Sequence, residues 1–258
     1  MPRWATEREP SRKSYGPAVG AAAKSFGKPL MPWQQLVADV ALEVDADGKP
    51  CYRQVIFTTP RQSGKSTLIE AWSLQRAIGW AQMLDQPQTI VYTAQTGADA
   101  AKKMLKDFVG DFEPRKHQFG ISKITKANGK EAVHWKNRSA FYCLSSAEDA
   151  GHGQTIDLAF IDELFADKDD RRMQALIPAT VTRRFAQILV CSTAGTPSSI
   201  AWNAKVAMGR AAAESGKRSG VAYFEWSAPF DADPADPETW AGCMPALGHT
   251  QDLDVVQA

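Results

Sequence analysis

The chain lacks several features that mark membrane, secreted and zinc-binding proteins. No apolar run approaches the roughly 20 residues that a membrane-spanning helix needs. The first ten residues include basic side chains but no apolar segment of the kind found in secretory signals. The four cysteines lie far apart with no C-x-x-C pair to hold zinc. Three of them sit beside apolar or β-prone residues, where we expect cysteine to be a small core side chain. A cytoplasmic protein without a membrane partner is therefore expected.

The chain also has no excess of charge of one sign. Its 30 basic residues nearly balance its 29 acidic ones, and the net charge is +1. An overall basic footprint, which is typical of many nucleic-acid-binding proteins, is absent. Any contact with DNA must then be local.

What is present is an alternation of strand and helix patterns over most of the 258 residues. The alternation predicts an α/β fold with a mostly parallel central sheet flanked by helices. Strands are predicted at 52–59, 88–94, 156–161, 187–192 and 221–226, a hairpin at 121–126 and 131–136, and helices after Pro32 and at 66–80, 98–109, 169–176 and 200–213. Residues 1–28 have no apolar period and predict a flexible arm, 29–228 form the main domain, and the acidic, proline-rich segment 229–258 predicts a linker.

The segment Thr59–Thr67 carries a phosphate-binding pattern between a predicted strand and a predicted helix. Gly64 lacks a side chain and permits close approach of backbone N–H groups to phosphate at a helix N-terminus. Lys65 can reach the β and γ phosphates, and the Ser66 hydroxyl can ligate Mg²⁺. The pattern departs from G-x-x-x-x-G-K-[ST] because a threonine takes the place of the first glycine. The predicted nucleotide-binding residues here are Arg61, Gln62, Ser63, Gly64, Lys65, Ser66 and Thr67.

Polar residues end two further predicted strands. The apolar run from Ile156 ends in Asp162 and Glu163, the Walker B arrangement. Asp162 would hold Mg²⁺ through its water shell, and Glu163 would polarise the attacking water. At the end of the next buried strand, Ser192 and Thr193 would face the γ-phosphate, since ligands of α/β sheets lie at the carboxyl ends of strands. These positions predict an ATPase with ATP and Mg²⁺ as cofactors.

Gln34, in Pro32-Trp33-Gln34, precedes the first strand by about 20 residues. A glutamine amide can both donate to and accept from an adenine edge. We therefore predict that Gln34 binds the base.

Together these segments resemble the ATPase domain of a tailed-phage large terminase subunit, over roughly residues 29–248. Gln34 resembles the family's adenine-binding Q motif, and 60–66 resembles its Walker A variant, which often lacks the first glycine. Asp162-Glu163 and 192–194 resemble its Walker B and coupling motifs. The segments 223–229 and 240–248 look like the connection to a second, nuclease domain.

The resemblance implies a P-loop NTPase of the ASCE class. ATP hydrolysis would drive double-stranded DNA into a procapsid, in the cytoplasm of a bacterial host. Implied partners are the portal protein, the small terminase subunit and further copies of the chain in a pentameric ring. The segment 229–258 would lead toward a nuclease domain of RNase H-like fold, so we do not expect this chain alone to cut DNA.

The resemblance also implies roles for two sets of basic residues. A neighbouring subunit should supply an arginine finger, but the family position shortly before Walker B reads Ala150-Gly-His152-Gly, and the nearest candidates are Arg138, Arg171 and Arg172. Arg61, inside the P-loop, is better placed to touch phosphate in its own subunit. DNA would be held through phosphates only, with Lys102, Lys103, Lys106, Arg183 and Arg184 as candidates.

Other functions remain open on the sequence. A helicase-like ATPase would need a second motor domain, and a nucleotide kinase would need an acceptor lid. A nucleotide-gated assembly module would bind ATP and hardly turn it over. Glu163 argues against the last, because a switch needs no general base.

Overall fold

In the computed structural model, which describes residues 1–144, 155–167, 169–216 and 220–257, helices flank one central sheet. The strands are β1 (Trp4–Ala5), β2 (Gln54–Thr58), β3 (Thr89–Thr93), β4 (Ile121–Thr125), β5 (Ala132–Trp135), β6 (Ala140–Cys143), β7 (Leu158–Asp162), β8 (Gln187–Ser192) and β9 (Val221–Glu225). They form a 9-stranded sheet in the order β1-β9-β2-β8-β7-β3-β6-β5-β4. The α/β fold predicted from the sequence is confirmed.

The sheet is parallel from β9 to β6, with antiparallel strands only at its two ends. Strand β8 lies between β2 and β7. The register pairs Thr58 with Ser192 and Cys191 with Asp162. The carboxyl ends of β2, β8 and β7 therefore meet at one edge, where α/β folds bind ligands.

The helices are α1 (Gly16–Ser25), α2 (Pro32–Ala41), α3 (Lys65–Gln75), α4 (Ala81–Leu84), α5 (Gly97–Lys103), α6 (Gly110–Phe112), α7 (Arg171–Thr180), α8 (Ile200–Ser215), α9 (Pro237–Cys243) and α10 (Leu253–Gln257). Two π-helical turns, Arg76–Trp80 and Met104–Val109, follow α3 and α5.

Apolar side chains cover both faces of the sheet. In β2, Val55 and Phe57 pack into the cluster that α1, α2, α3 and α5 share, whereas Ile56 packs into the cluster of α7 and α8. This alternation follows from the two-residue period of a strand. Because both faces are covered, the central strands are apolar almost throughout, as in the run that ends at Asp162.

The N-terminal residues correct one prediction. Residues 1–28 are not a structureless arm: β1 pairs with β9, and α1 packs against α2 and α3 with Val19 and Ala23 fully buried. The helix is built largely from alanine and glycine, and a Cβ at Gly16 would collide with the Asp39 Cα of α2. Small residues let the helices approach closely. Such a contact leaves no large apolar period in the sequence, which explains the wrong prediction.

The C-terminal segment, predicted as a linker, contains α9 and α10 and packs beside the P-loop. Ala246 is fully buried, and the Gln251 Nε2 donates to the Arg61 carbonyl oxygen at 3.2 Å. The boundary at residue 229 and the further domain that it would lead to stay predictions.

The structure also shows the surroundings of the cysteines and the character of the helices. Cys143 and Cys191 are buried, in agreement with a role as core side chains, whereas Cys51 and Cys243 are half-buried. Within the described ranges, no helix has both the length and the apolar character that crossing a bilayer would require.

Candidate nucleotide-binding site

A cavity of about 420 Å³ lies at the carboxyl edge of the sheet, beside the start of α3. Its size is within the range of small-molecule sites. The lining residues are Arg61, Gln62, Ser63, Gly64, Lys65, Ser66, Lys103, Glu163, Phe165 and Thr193. The structure thus brings most of the predicted site residues together. Thr67 lies just outside it, in a smaller neighbouring cavity that also contacts Ser66.

Gly64 is the residue that shapes the loop. Its φ of 86° is in the left-handed region, immediately before α3 begins at Lys65. A Cβ there would lie 2.6 Å from the Met31 Cε and 3.0 Å from the Gln34 Nε2. The backbone conformation favours glycine, and any larger residue would also have to displace the ends of these two side chains. The helix N-terminus behind it presents unpaired N–H groups that favour an anion.

Gln34 braces the loop in place of the predicted adenine contact. It is fully buried, its Nε2 donates to the Gly64 carbonyl oxygen at 2.7 Å, and its Oε1 accepts from the Met31 N–H at 2.7 Å. Trp33 donates from Nε1 to the Ser63 carbonyl oxygen at 3.1 Å. The side chain is fully buried and each end of its amide already bonds to the protein, so in this structure no part of Gln34 is exposed to an adenine edge.

Asp162, at the end of β7, is a fully buried carboxylate surrounded by donors. Its Oδ2 accepts from the Tyr92 hydroxyl at 2.9 Å and from the Lys103 Nζ at 2.7 Å. Its Oδ1 accepts from the Cys191 Sγ at 3.2 Å and from the Glu163 N–H at 3.0 Å. Burial alone would raise the pKa of Asp162, but Lys103 and Lys65 outweigh it and hold the pKa below its ordinary value.

The same cluster shifts the pKa values of its neighbours. Burial and the nearby carboxylate raise the pKa of Tyr92 and of the Cys191 thiol well above their ordinary values. Burial alone would lower the pKa of Lys103, but the attraction of Asp162 raises it. The cluster is therefore one anionic carboxylate, one ammonium and two neutral donors. An ammonium in contact with this carboxylate shows that the position suits a cation.

Glu163 lies in the left-handed region with a φ of 58°, which is uncommon for a residue with a side chain. The backbone turns sharply there, at the end of β7, and Glu163 lines the cavity next to the P-loop. Such strained positions cluster at active sites. The arrangement suits a carboxylate that polarises a water molecule.

The two residues that end β8 differ in position. Thr193 lines the cavity, as predicted. Ser192 is fully buried, and its Oγ accepts from the Phe165 N–H at 3.0 Å. The prediction that Ser192 faces the γ-phosphate does not fit, because its hydroxyl binds the backbone just after Glu163 instead.

The arginine candidates differ in burial and in their contacts. Arg61 is exposed and lines the cavity. Arg172 is nearly buried and bonds to Asp167, to the Ala94 carbonyl and to the Asp162 carbonyl, so it is unsuited to reach a neighbouring subunit. Arg138 and Arg171 are exposed. The family position at 150–153 lies outside the described residues.

The candidate DNA contacts do not all lie on the surface. Lys103 lines the cavity and pairs with Asp162, so its side chain is not free to contact DNA. The sequence did not reveal this contact in the nucleotide site. Lys102 and Lys106 are exposed. Arg183 lies near Asp157 and Arg184 pairs with Asp47, close to the amino ends of β7 and β8.

Comparison with known proteins adds the family. The family model described as terminase large subunit, T4likevirus-type, N-terminal, matches residues 56–217, more than half of the chain. No curated protein sequence gives a significant match.

Among solved structures, the large terminase of bacteriophage HK97 superimposes with a TM-score of 0.76 at 22% identity, over 95% of this chain and 50% of that one. The large terminase ATPase domain of Thermus phage P74-26 gives 0.51 at 18% identity, over 68% and 70%. The large terminase of another thermophilic bacteriophage gives 0.52 at 12% identity, over 77% and 46%. The chain thus spans about half the length of the HK97 protein, and at these identities the likeness shows the fold alone. On the family match, the chain belongs to the terminase large subunits of T4-like-virus type, in their N-terminal region.

Proposed function

We propose that the chain binds Mg–ATP in the P-loop cavity and hydrolyses it, and that hydrolysis drives double-stranded DNA into a viral procapsid. One observation carries the proposal: a single cavity is lined by the loop of Gly64, by Lys65 and Ser66, and by Glu163, next to the buried Asp162. Phosphate binding, metal binding and a general base are the three parts that phosphoryl transfer to water requires.

Each side chain has a role that follows from its position. Backbone N–H groups around Gly64 and the ammonium of Lys65 would bind the phosphates, with Arg61 and Thr193 lining the same cavity. Ser66 and Asp162 would hold Mg²⁺, whose chemistry is to neutralise charge on the phosphate oxygens. The Glu163 carboxylate would accept the proton of the attacking water.

Hydrolysis is tested with Glu163→Gln, which keeps the size of the side chain and removes the base. We expect ATP binding to persist while single-turnover hydrolysis falls by about 100-fold or more, the usual contribution of a general base. Lys65→Ala should abolish binding of a fluorescent ATP analogue. Equal hydrolysis by wild type and Glu163→Gln would refute the assigned role.

The nucleotide-gated assembly module remains the alternative. The observation in its favour is that Trp33, Gln34 and the C-terminal Gln251 all donate hydrogen bonds to backbone carbonyls of the P-loop. A change in the loop when nucleotide binds would be passed to these segments. ATPase rate measured against protein concentration separates the two. A steep rise supports a ring in which a neighbouring subunit completes the site, whereas no turnover at high concentration favours the switch.

The partners proposed are those of the family: portal protein, small terminase subunit, DNA held through phosphates, and further copies in a pentameric ring, in the bacterial host cytoplasm. Support comes from family membership and from the exposed Arg138 and Arg171, either of which a ring could place against a neighbouring cavity. Stimulation of the ATPase by procapsids and linear DNA, equal for unrelated DNA sequences, tests this part. A dependence on DNA sequence would contradict phosphate-only contacts.

A further inference from the structure

Among the described residues, four donors reach the Asp162 carboxylate, two on each oxygen: Tyr92 and Lys103 on Oδ2, and Cys191 and the Glu163 N–H on Oδ1. A carboxylate offers about four lone-pair directions in total. A metal ion, or the water of its hydration shell, can reach Asp162 only if one donor leaves.

Lys103 is the donor that can leave. Tyr92 and Cys191 are fully buried core residues, and the Glu163 N–H is part of the backbone at the end of β7. The Lys103 side chain is 24% exposed, has a flexible four-carbon stem and lines the P-loop cavity. It also carries the charge that a bound cation would replace.

Electrostatics opposes keeping both cations at the carboxylate. An ammonium 2.7 Å from Oδ2 and a divalent ion on the same group would repel each other strongly in a buried environment. Lys103 is also the last residue of α5, and the π-helical turn Met104–Val109 follows it directly. Single π-helical turns inside α-helices are frequent at functional sites.

We propose that Lys103 occupies the metal side of Asp162 when no nucleotide is bound, and that Mg²⁺ entering with ATP displaces it. The displaced ammonium stays in the cavity with Arg61 and Lys65 and faces the triphosphate. Lys103 thus prevents Mg²⁺ alone from binding and makes metal and nucleotide bind together. The inference rests on the proposed function, which it deepens.

The test uses Mn²⁺ as a spectroscopic probe of the metal position. Binding of Mn²⁺ without nucleotide is measured by electron paramagnetic resonance for wild type, Lys103→Met and the control Lys24→Met, an exposed lysine of α1. We expect Lys103→Met to bind Mn²⁺ at least about tenfold more tightly than wild type, the scale of one charged hydrogen bond, and Lys24→Met to match wild type. Adding Asp162→Asn to Lys103→Met should abolish the gain.

A second measurement follows the nucleotide. A fluorescent ATP analogue is kept at a concentration high enough to offset the contact that Lys103 itself makes with the triphosphate. Under that condition the Mg²⁺ concentration that half-saturates analogue binding should fall about tenfold in Lys103→Met, by the same reasoning. Lys103→Gln, which keeps a donor without the charge, should behave in the same direction. Equal Mn²⁺ affinity in wild type and both variants would overturn the proposal.

The result stays decisive if removal of the charge unfolds the chain. A Lys103→Met protein that circular dichroism shows as unfolded without metal but folded with Mn²⁺ supports the exchange. One that remains unfolded with Mn²⁺ overturns it, because the metal then cannot replace the ammonium. If wild type fails to bind the ATP analogue, the proposed function fails, whereas the Mn²⁺ measurement still decides the role of Lys103.

Discussion

Replacing Gln34 by alanine tests whether this residue braces the P-loop or binds a base. The change removes a fully buried amide that makes two hydrogen bonds of 2.7 Å each. The Gly64 carbonyl oxygen and the Met31 N–H are then left without these partners. A buried group that loses its partner costs about 1–3 kcal/mol, so the two together should cost about 2–6 kcal/mol.

This loss has a clear thermal signature. For a chain of this size, 1 kcal/mol lowers Tm by about 2–4 °C, so Gln34→Ala should lower Tm by at least about 4 °C. Gln82→Ala, at an exposed position of α4, is the matched control and should leave Tm nearly unchanged. Circular dichroism melts of the three proteins give the measurement.

Nucleotide selectivity separates the brace from a base contact. A distorted loop should weaken fluorescent ATP and GTP analogues by the same factor, because both share the triphosphate. A direct contact with adenine would instead weaken ATP alone. An unchanged Tm together with a selective loss of ATP would refute the bracing role and restore the prediction made from the sequence.

Three further predictions concern the same region. Burial, followed by repulsion from Asp111, raises the pKa of Glu70 from 4.5 to about 9. The native state then holds a proton that the unfolded state releases. Wild-type stability should therefore fall as pH rises from about 5 to 9, by at most about 1.4 kcal/mol per pH unit, and Glu70→Gln should remove this slope in urea unfolding. Gly64→Ala should lower the free energy of unfolding by at least about 1 kcal/mol and abolish ATP-analogue binding, because the φ of Gly64 is 86°. Unchanged binding would contradict the loop geometry. Arg172→Met should lower the free energy of unfolding by about 3–5 kcal/mol because Asp167 loses its partner. The control is Arg171→Met: the Arg171 side chain is 80% exposed, so the same urea titration should show a change within about 0.5 kcal/mol.

Local patterns were enough to predict the sheet and the Walker motifs. A strand buried on both faces reads as a continuous apolar run, and the run ending at Asp162 and the one ending at Ser192 are such strands. A glycine before Lys65-Ser66, between a strand and a helix, indicates a P-loop because these residue types bind phosphate and Mg²⁺. These features depend on residues close together in the chain, so the sequence shows them directly.

The misassigned residues depend on contacts between distant segments. Helix α1 differs from the predicted arm because its burial comes from small residues packed on α2 and α3. The sequence predicts an adenine contact for Gln34, whereas its amide reaches the Gly64 carbonyl 30 residues further along the chain. A polar side chain can bind a ligand or the protein backbone equally well, and only the packing decides which.

Local motifs alone thus predict the class of protein: an α/β P-loop domain whose lysine, serine and paired acids suit Mg–ATP. The packing of distant segments sets which charges meet at the site. Lys103 lies 59 residues before Asp162 and looked like part of a solvated basic helix face. Parallel β3 and β7 are neighbours in the sheet, and this brings the end of α5 to the end of β7. A charged side chain takes its role from the nearest opposite charge in space, and spacing along the chain does not record that distance.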